Sequence, residues 1–151
     1  MKRDILLFGG LAGVVGNIPK EILTWIMYFF GWIKYTFDHI CAGIYVSPSY
    51  LREPSALLLG IMVDFVQAGI FGGSILYILK KTGGEERWVL KGLVLGFGMF
   101  LICFGGLRRM MSPKIMIVTP LENLLYLPPN VIYALTTTWF IKKFRILENK
   151  W

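Results

Sequence analysis

Ala56 to Leu79 reads ALLLGIMVDFVQAGIFGGSILYIL, an apolar run of 24 residues with one ionisable side chain, Asp64, and with Lys80 and Lys81 at its end. At about 1.5 Å per residue, a helix of that length crosses a hydrocarbon core of about 30 Å. Two further runs follow. Trp88 to Leu107 is opened by an interfacial Trp, carries Lys91 near its start and is closed by Arg108 and Arg109, while Leu124 to Ile141 is closed by Lys142, Lys143 and Arg145. A first apolar region, Ile5 to Ile33, precedes them all. Over the 151 residues, 56% are hydrophobic and 17% charged, with mean hydropathy +0.62. A soluble domain carries about 45–50% apolar and about 25% charged residues, so a soluble globular protein is excluded. The expectation is an all-α polytopic integral membrane protein, a single four-helix transmembrane domain over 1–151 with spans at about 5–33, 56–79, 88–107 and 124–141 and no soluble domain.

The first region is about ten residues longer than one span needs and is interrupted by Asn17-Ile18-Pro19-Lys20-Glu21. Proline lacks a backbone donor and disfavours helix in the residue before it. The first helix is therefore expected to be kinked or broken near Pro19, a break placing Asn17 as N-cap of a second half. The connection Lys34 to Pro54 contains Asp38-His39, the apolar stretch Ile40 to Val46 and Ser47-Pro48-Ser49. It is expected to lie along the membrane interface or dip into it, as is Met110 to Asn123.

The net charge of +7 would suggest nucleic acid in a soluble domain, but most Lys and Arg sit at the ends of apolar runs, so no nucleic-acid partner is expected. With four spans, one side carries Lys2, Arg3, Lys80, Lys81, Arg87, Lys91, Lys142, Lys143, Arg145 and Lys150. The other carries Lys34, Arg52, Arg108, Arg109 and Lys114. That bias places the N-terminus, read as retained, and the C-terminus in the cytoplasm. Cys41 and Cys103 lie in separate apolar segments without CxxC spacing and read as reduced thiols.

Ionisable groups at bilayer depth cost about 2.5–3.5 kcal/mol each on insertion scales, so they face a bundle interior or water. Lys20 and Glu21 in the first helix, and Asp64 with Gln67 on one face of the second, reach one depth if the two helices are antiparallel, and Asn130 beside Pro128-Pro129 lies near it. Asn17, Lys20, Glu21, Asp64, Gln67 and Asn130 are thus a candidate intramembrane polar site. Such a group serves either as a register-fixing salt bridge or as a site for an ion or solute.

Gly9 with Gly13, Gly69 with Gly73, and Gly92 with Gly96 are GxxxG pairs, and Ala12 with Gly16 and Ala68 with Gly72 offset the first two by one face. They serve helix packing within the bundle or self-association. His39, between Asp38 and Cys41, reads as an interfacial histidine; three ligand types so close in sequence make no tetrahedral set, and no metal is expected. Glu122 reads as a charge at a helix start. The chain has no HExxH, GxSxG or GxxxxGK[ST], and neither enzymatic activity nor a cofactor is expected.

The aromatic exit Gly31-Trp32-Ile33-Lys34-Tyr35-Thr36-Phe37, the long connection with Pro48 and Pro54, and the segments GGSILYILKK and WVLKGLVLGFGMF resemble the YqhR-like small membrane proteins of spore-forming Firmicutes. The resemblance implies four spans and a bacterial cytoplasmic membrane, and brings no assigned activity or binding residues. The leading expectation is a non-enzymatic, self-associating structural, assembly or interaction component whose partners are the lipid bilayer and a second copy or another membrane protein. The alternative is a small ion or solute channel or transporter that uses the polar site at the membrane midplane.

Overall fold

The computed structural model describes residues 4–83, 86–107 and 119–144, and every regular element among them is helical. In chain order these are α1 (Ile5–Phe29), α2 (Phe37–Ala42), a 3₁₀ turn (Pro48–Tyr50), α3 (Pro54–Lys81) and α4 (Trp88–Phe100), which widens into π-helical turns over Leu101–Leu107. After 108–118, α5 (Pro120–Leu125) and α6 (Leu127–Lys143) follow. Three helices are long and apolar enough to cross a membrane, Ile5–Phe29, Pro54–Lys81 and Trp88–Gly106, which is the architecture of an integral membrane protein. Most of the connection expected to lie at the interface over Met110 to Asn123 falls outside the described residues.

Of the two alternatives at Pro19, α1 removes the break. It starts at Asp4, whose carboxylate accepts from the N–H groups of Leu6 and Leu7, and it runs through Pro19 without a break, so Asn17 is an interior residue and caps nothing. The proline removes one donor, but packing on both sides of it keeps the chain helical. Gly9, Gly13 and Gly16 are buried before it, and Lys20 and Thr24 after it. The helix stops four residues short of Ile33, and Gly31, at φ +73°, supplies the left-handed turn that leads the chain away.

The interruption lies instead in the fourth apolar run. Tyr126 separates α5 from α6, and Pro128 and Pro129 follow it with no N–H to offer the carbonyls of Leu124 and Leu125. With 17 residues, α6 alone reaches only about 26 Å. The span expected over 124–141 therefore straddles two helices.

α1 packs on α3 and α6, α4 packs on α6, and α2 packs on α3. The α1–α3 seam is backbone against backbone: a Cβ on Gly9 would sit 2.6 Å from the Cα of Gly73, and one on Gly13 2.9 Å from the Cα of Gly72. The closest stripe on α3 is thus Ala68 and Gly72, one face away from the Gly69 and Gly73 pair. Gly92 and Gly96 admit α6 in the same way, the latter with the Cα of Val131 2.7 Å from its added Cβ. Gly9 with Gly13 and Gly92 with Gly96 therefore face neighbours within the chain, while an added Cβ on Gly69 or Gly73 meets nothing closer than 3.8 Å, so that pair lies at the edge of the seam.

Among the described residues, one buried apolar cluster holds Ala12, Ala68, Ile75, Leu76, Leu79, Tyr133, Ala134 and Ile141, and a second holds Met27, Ile33, Phe37, Phe104 and Tyr126. Leu58, Met62, Val66 and Ile70 of α3 point outward and are exposed, the pattern of a helix whose solvent is lipid. Tyr133 ties α6 to α3 by donating its buried hydroxyl to the Ala68 carbonyl at 2.6 Å. Tyr133→Phe is expected to lower stability by about 1 kcal/mol, read from the unfolding midpoint in detergent. An unchanged midpoint would mean that this bond contributes nothing net.

Candidate functional site

α1 and α3 are antiparallel neighbours, and their rise puts Lys20 about 14 Å from the end of α1 and Asp64 about 15 Å from the start of α3. At that common depth the Lys20 Nζ lies 2.7 and 2.8 Å from the two oxygens of Asp64, and 3.2 Å from Glu21 Oε1. Asn17 Nδ2 donates to Asp64 Oδ2 at 2.6 Å. Lys20 is 6% exposed and Asp64 3%, so the pair is withdrawn from solvent. The ammonium also lies 4.2 Å from the centre of the Phe37 ring, a cation–π contact made in a desolvated setting.

Phe37 comes from α2, the short helix within the Lys34 to Pro54 connection. The first part of that connection, through Ala42, dips into the bundle, while Tyr45 and residues 47–50 are exposed. Gly60 makes room for the dip, because any Cβ there would run into the Asp38 carbonyl and, at 3.2 Å, the Ala42 methyl. α2 is started by a capping box in which the Thr36 hydroxyl accepts from the His39 N–H, while His39 Nδ1 lies 2.7 Å from the hydroxyl and accepts from the Thr36 N–H. His39 is therefore a buried cap and not the interfacial histidine expected from the sequence. Burial, with the Arg52 charge acting in the same sense, holds its ring below the ordinary histidine range and so neutral.

The dip delivers two further groups. Asp38 is 1% exposed and takes a hydrogen bond from Trp25 Nε1 on one oxygen at 3.0 Å. Cys41 turns its thiol toward Gln67 Oε1 at 3.6 Å and Asp64 Oδ1 at 3.9 Å. Glu21, Asp38 and Asp64 each offer an oxygen within 4.8 Å of the other two. Asp38 was missed in the sequence because it lies in a connection, 17 residues from Glu21 and 26 from Asp64. A trace was legible all the same, in Thr36-x-x-His39 as a helix start directly ahead of an apolar stretch.

Beside this cluster lies a cavity of about 70 Å³. On this measure a single water needs about 10–15 Å³, so several waters or a small partly hydrated ion fit. Its polar lining is Asn17 and Lys20 from α1, Asp64 and Gln67 from α3, and Asn130 and Tyr133 from α6. The apolar lining includes Phe37 and Ile40 of α2, Phe71 of α3, and Met99, Cys103 and Phe104 opposite. The cavity is thus walled by α1, α2, α3, α4 with its π-helical turns, and α6. Five of the six residues singled out in the sequence thus line one space, and the sixth, Glu21, is joined to it through Lys20. Asn130 turns its amide nitrogen to the Tyr126 carbonyl at 2.7 Å, in the turn before the paired prolines.

Glu122 stands in the first turn of α5 as expected, where Thr119 caps the helix, and its carboxylate accepts the Lys34 N–H at 2.6 Å. It fastens the exit of α1 to the start of the fourth run and has no part in the cavity.

The chain matches no protein-family model, and no curated protein or solved structure is similar to it.

Proposed function

We propose that this is a four-span membrane protein whose polar-lined cavity binds a small ion or solute and passes it across the bilayer, with α5 and α6 together forming the fourth span. One observation carries the reading: Asn17, Lys20, Asp64, Gln67 and Asn130, contributed by three helices, converge on a single cavity large enough for water. A pure register lock needs the Lys20 to Asp64 pair and no adjoining space. Convergent side-chain amides are what a site needs to replace a hydration shell. In this reading both termini are cytoplasmic and the membrane is a bacterial inner membrane, as the Lys and Arg bias and the family resemblance suggest.

The test is access. Single cysteines at Gln67 and Asn130, in a background lacking Cys41 and Cys103, are treated in native membranes with a small membrane-impermeant thiol reagent from each side. Labelling at both positions is the expected result, followed by solute flux in proteoliposomes. Protection at both in a folded protein would mean a dry core and would remove the reading.

A second reading, an assembly or interaction component, is favoured by the tight Lys20 to Asp64 clasp, which fixes α1 against α3 whether or not the cavity is wet. Because Gly9 with Gly13 and Gly92 with Gly96 face inward, a partner in that reading docks on the lipid-facing sides, such as the Leu58, Met62, Val66 and Ile70 stripe.

A further inference from the structure

The hydrogen bonds inside the protein use up most of the donors that line the cavity and leave acceptors over. Asn17 Nδ2 is bound to Asp64 Oδ2 at 2.6 Å, and Asn130 Nδ2 to the Tyr126 carbonyl at 2.7 Å. A carboxylate clasped by an ammonium and a main-chain carbonyl both accept only, so the nitrogen end of each amide is fixed. Each asparagine keeps its carbonyl oxygen, and among the described residues no donor reaches either one. Tyr133 gives its one proton to the Ala68 carbonyl and keeps the lone pairs of its hydroxyl. The Lys20 ammonium is taken up by both Asp64 oxygens within 2.8 Å and by Glu21 at 3.2 Å, and the Cys41 thiol by Gln67 and Asp64. Gln67 is the exception, half-buried with its amide nitrogen unpartnered among the described residues, and Cys103 adds only a weak donor.

We propose that the ligand of this cavity is a small cation that donates hydrogen bonds, ammonium or a short primary alkylammonium. This rests on the binding reading of the cavity and names its ligand class. An anion needs donors, and the cavity spends nearly all of its own within the protein. An ammonium brings donors and asks for none. Charge agrees with this: Asp64 alone balances Lys20, with Glu21 and Asp38 beside them, so the buried group next to the cavity is neutral or negative and does not repel a cation. An alkali ion exchanges its hydration shell for a ring of oxygens, and the few side-chain acceptors here stand beside an apolar wall that includes Ile40, Phe71 and Met99. That wall suits an alkyl group. Of the three lining phenylalanines, Phe37 and Phe104 stack on other rings, while Phe71 has no ring or cation contact among the described residues and is open to an ammonium.

The full chain in detergent, at about pH 6 where an amine of ordinary basicity is protonated, is unfolded by heat with rising methylammonium chloride, potassium chloride, tetramethylammonium chloride or sodium formate, sodium chloride holding the ionic strength constant. Methylammonium is expected to raise the midpoint saturably, as a ligand of the folded state does. Potassium, and tetramethylammonium, which has the charge but no N–H, should need at least about tenfold higher concentration, the order of one charge-assisted hydrogen bond, and formate should do nothing. Gln67→Glu, which exchanges the unpartnered donor for an acceptor, should bind methylammonium more tightly; Gln67→Lys and Asn130→Leu should bind it at least about tenfold more weakly, with Glu122→Gln unchanged. A midpoint of the unmodified protein that methylammonium at tens of millimolar does not move overturns the proposal, and that measurement stands even where a variant fails to fold. An equal response to potassium or tetramethylammonium, a response to formate, or weaker binding in folded Gln67→Glu overturns it as well. If methylammonium has no effect but cysteines at Gln67 and Asn130 are labelled, the ligand class falls and the wet cavity stands; if those cysteines are protected too, both fall.

Discussion

Asp64→Asn is expected to destabilise the folded protein by about 3–5 kcal/mol, because it removes one half of a buried pair and leaves the other charged. The substitution keeps the shape of the side chain, so packing is not the cause. In the parent, Lys20 has two oxygens of Asp64 within 2.8 Å and Glu21 at 3.2 Å. After it, the ammonium retains Glu21 alone, at 6% exposure and with an amide in place of its main counter-ion. The same physics predicts a rescue. Removing both charges in Lys20→Met with Asp64→Leu leaves no unpaired ion, and replacing a buried ion pair by apolar groups is often neutral. The double variant should therefore unfold closer to the parent than Asp64→Asn does, with a coupling of at least about 1 kcal/mol between the sites, in the range found for contacting residues. Unfolding midpoints in detergent, with recovery of monodisperse protein as a second readout, measure both steps. A single variant as stable as the parent would mean that the pair is already solvated, and would point to a fully wet site.

How far the sequence led can be argued from a few residues. Apolar length alone located three membrane-crossing helices, since 18 or more apolar residues have one economical fate in a chain with no barrel pattern. The depth argument brought Lys20, Glu21 and Asp64 to one level, because helix rise is fixed and two antiparallel helices share a coordinate, but left open which carboxylate Lys20 meets. Asp38 escaped because it reaches the site through a connection, and nothing in local periodicity tells whether a short apolar loop lies on a membrane or enters it. Pro19 and the Pro128-Pro129 pair show the limit in another way. Each removes backbone donors, yet α1 continues and the fourth run divides. The difference is tertiary: α1 is packed closely on two neighbours through Gly9, Gly13 and Gly16 before Pro19 and is buried at Lys20 and Thr24 after it, while the paired prolines remove two donors in succession just where α6 begins.

Gly72→Val should be the most damaging substitution along the α1–α3 seam, and its effect tests where the glycine stripes act. The first added carbon at position 72 falls 2.5 Å from the Gly13 Cα and 2.6 Å from the Gly13 nitrogen, and closer still to the Gly9 carbonyl oxygen. These are backbone atoms of a packed helix, so no rotamer change relieves them and α1 must move as a body. Intrinsic helix preference argues the other way, since replacing an interior glycine by alanine favours the helix by about 1 kcal/mol. Overpacking against backbone costs about 1–3 kcal/mol for a single carbon and wins; valine adds two more methyl groups to a space that lacks room for one. Displacing α1 also parts Lys20 and Asn17 from Asp64, so the loss of packing carries loss of the buried pair with it. The prediction is a loss above about 3 kcal/mol for Gly72→Val and a smaller loss for Gly72→Ala, against no loss for Gly98→Ala, where an added Cβ meets nothing within 4 Å. Unfolding midpoints and cross-linking in native membranes are read together. Equal stability of Gly72→Ala and Gly98→Ala, with a change only in the cross-linked oligomer, would place this stripe between copies of the chain instead of between α1 and α3.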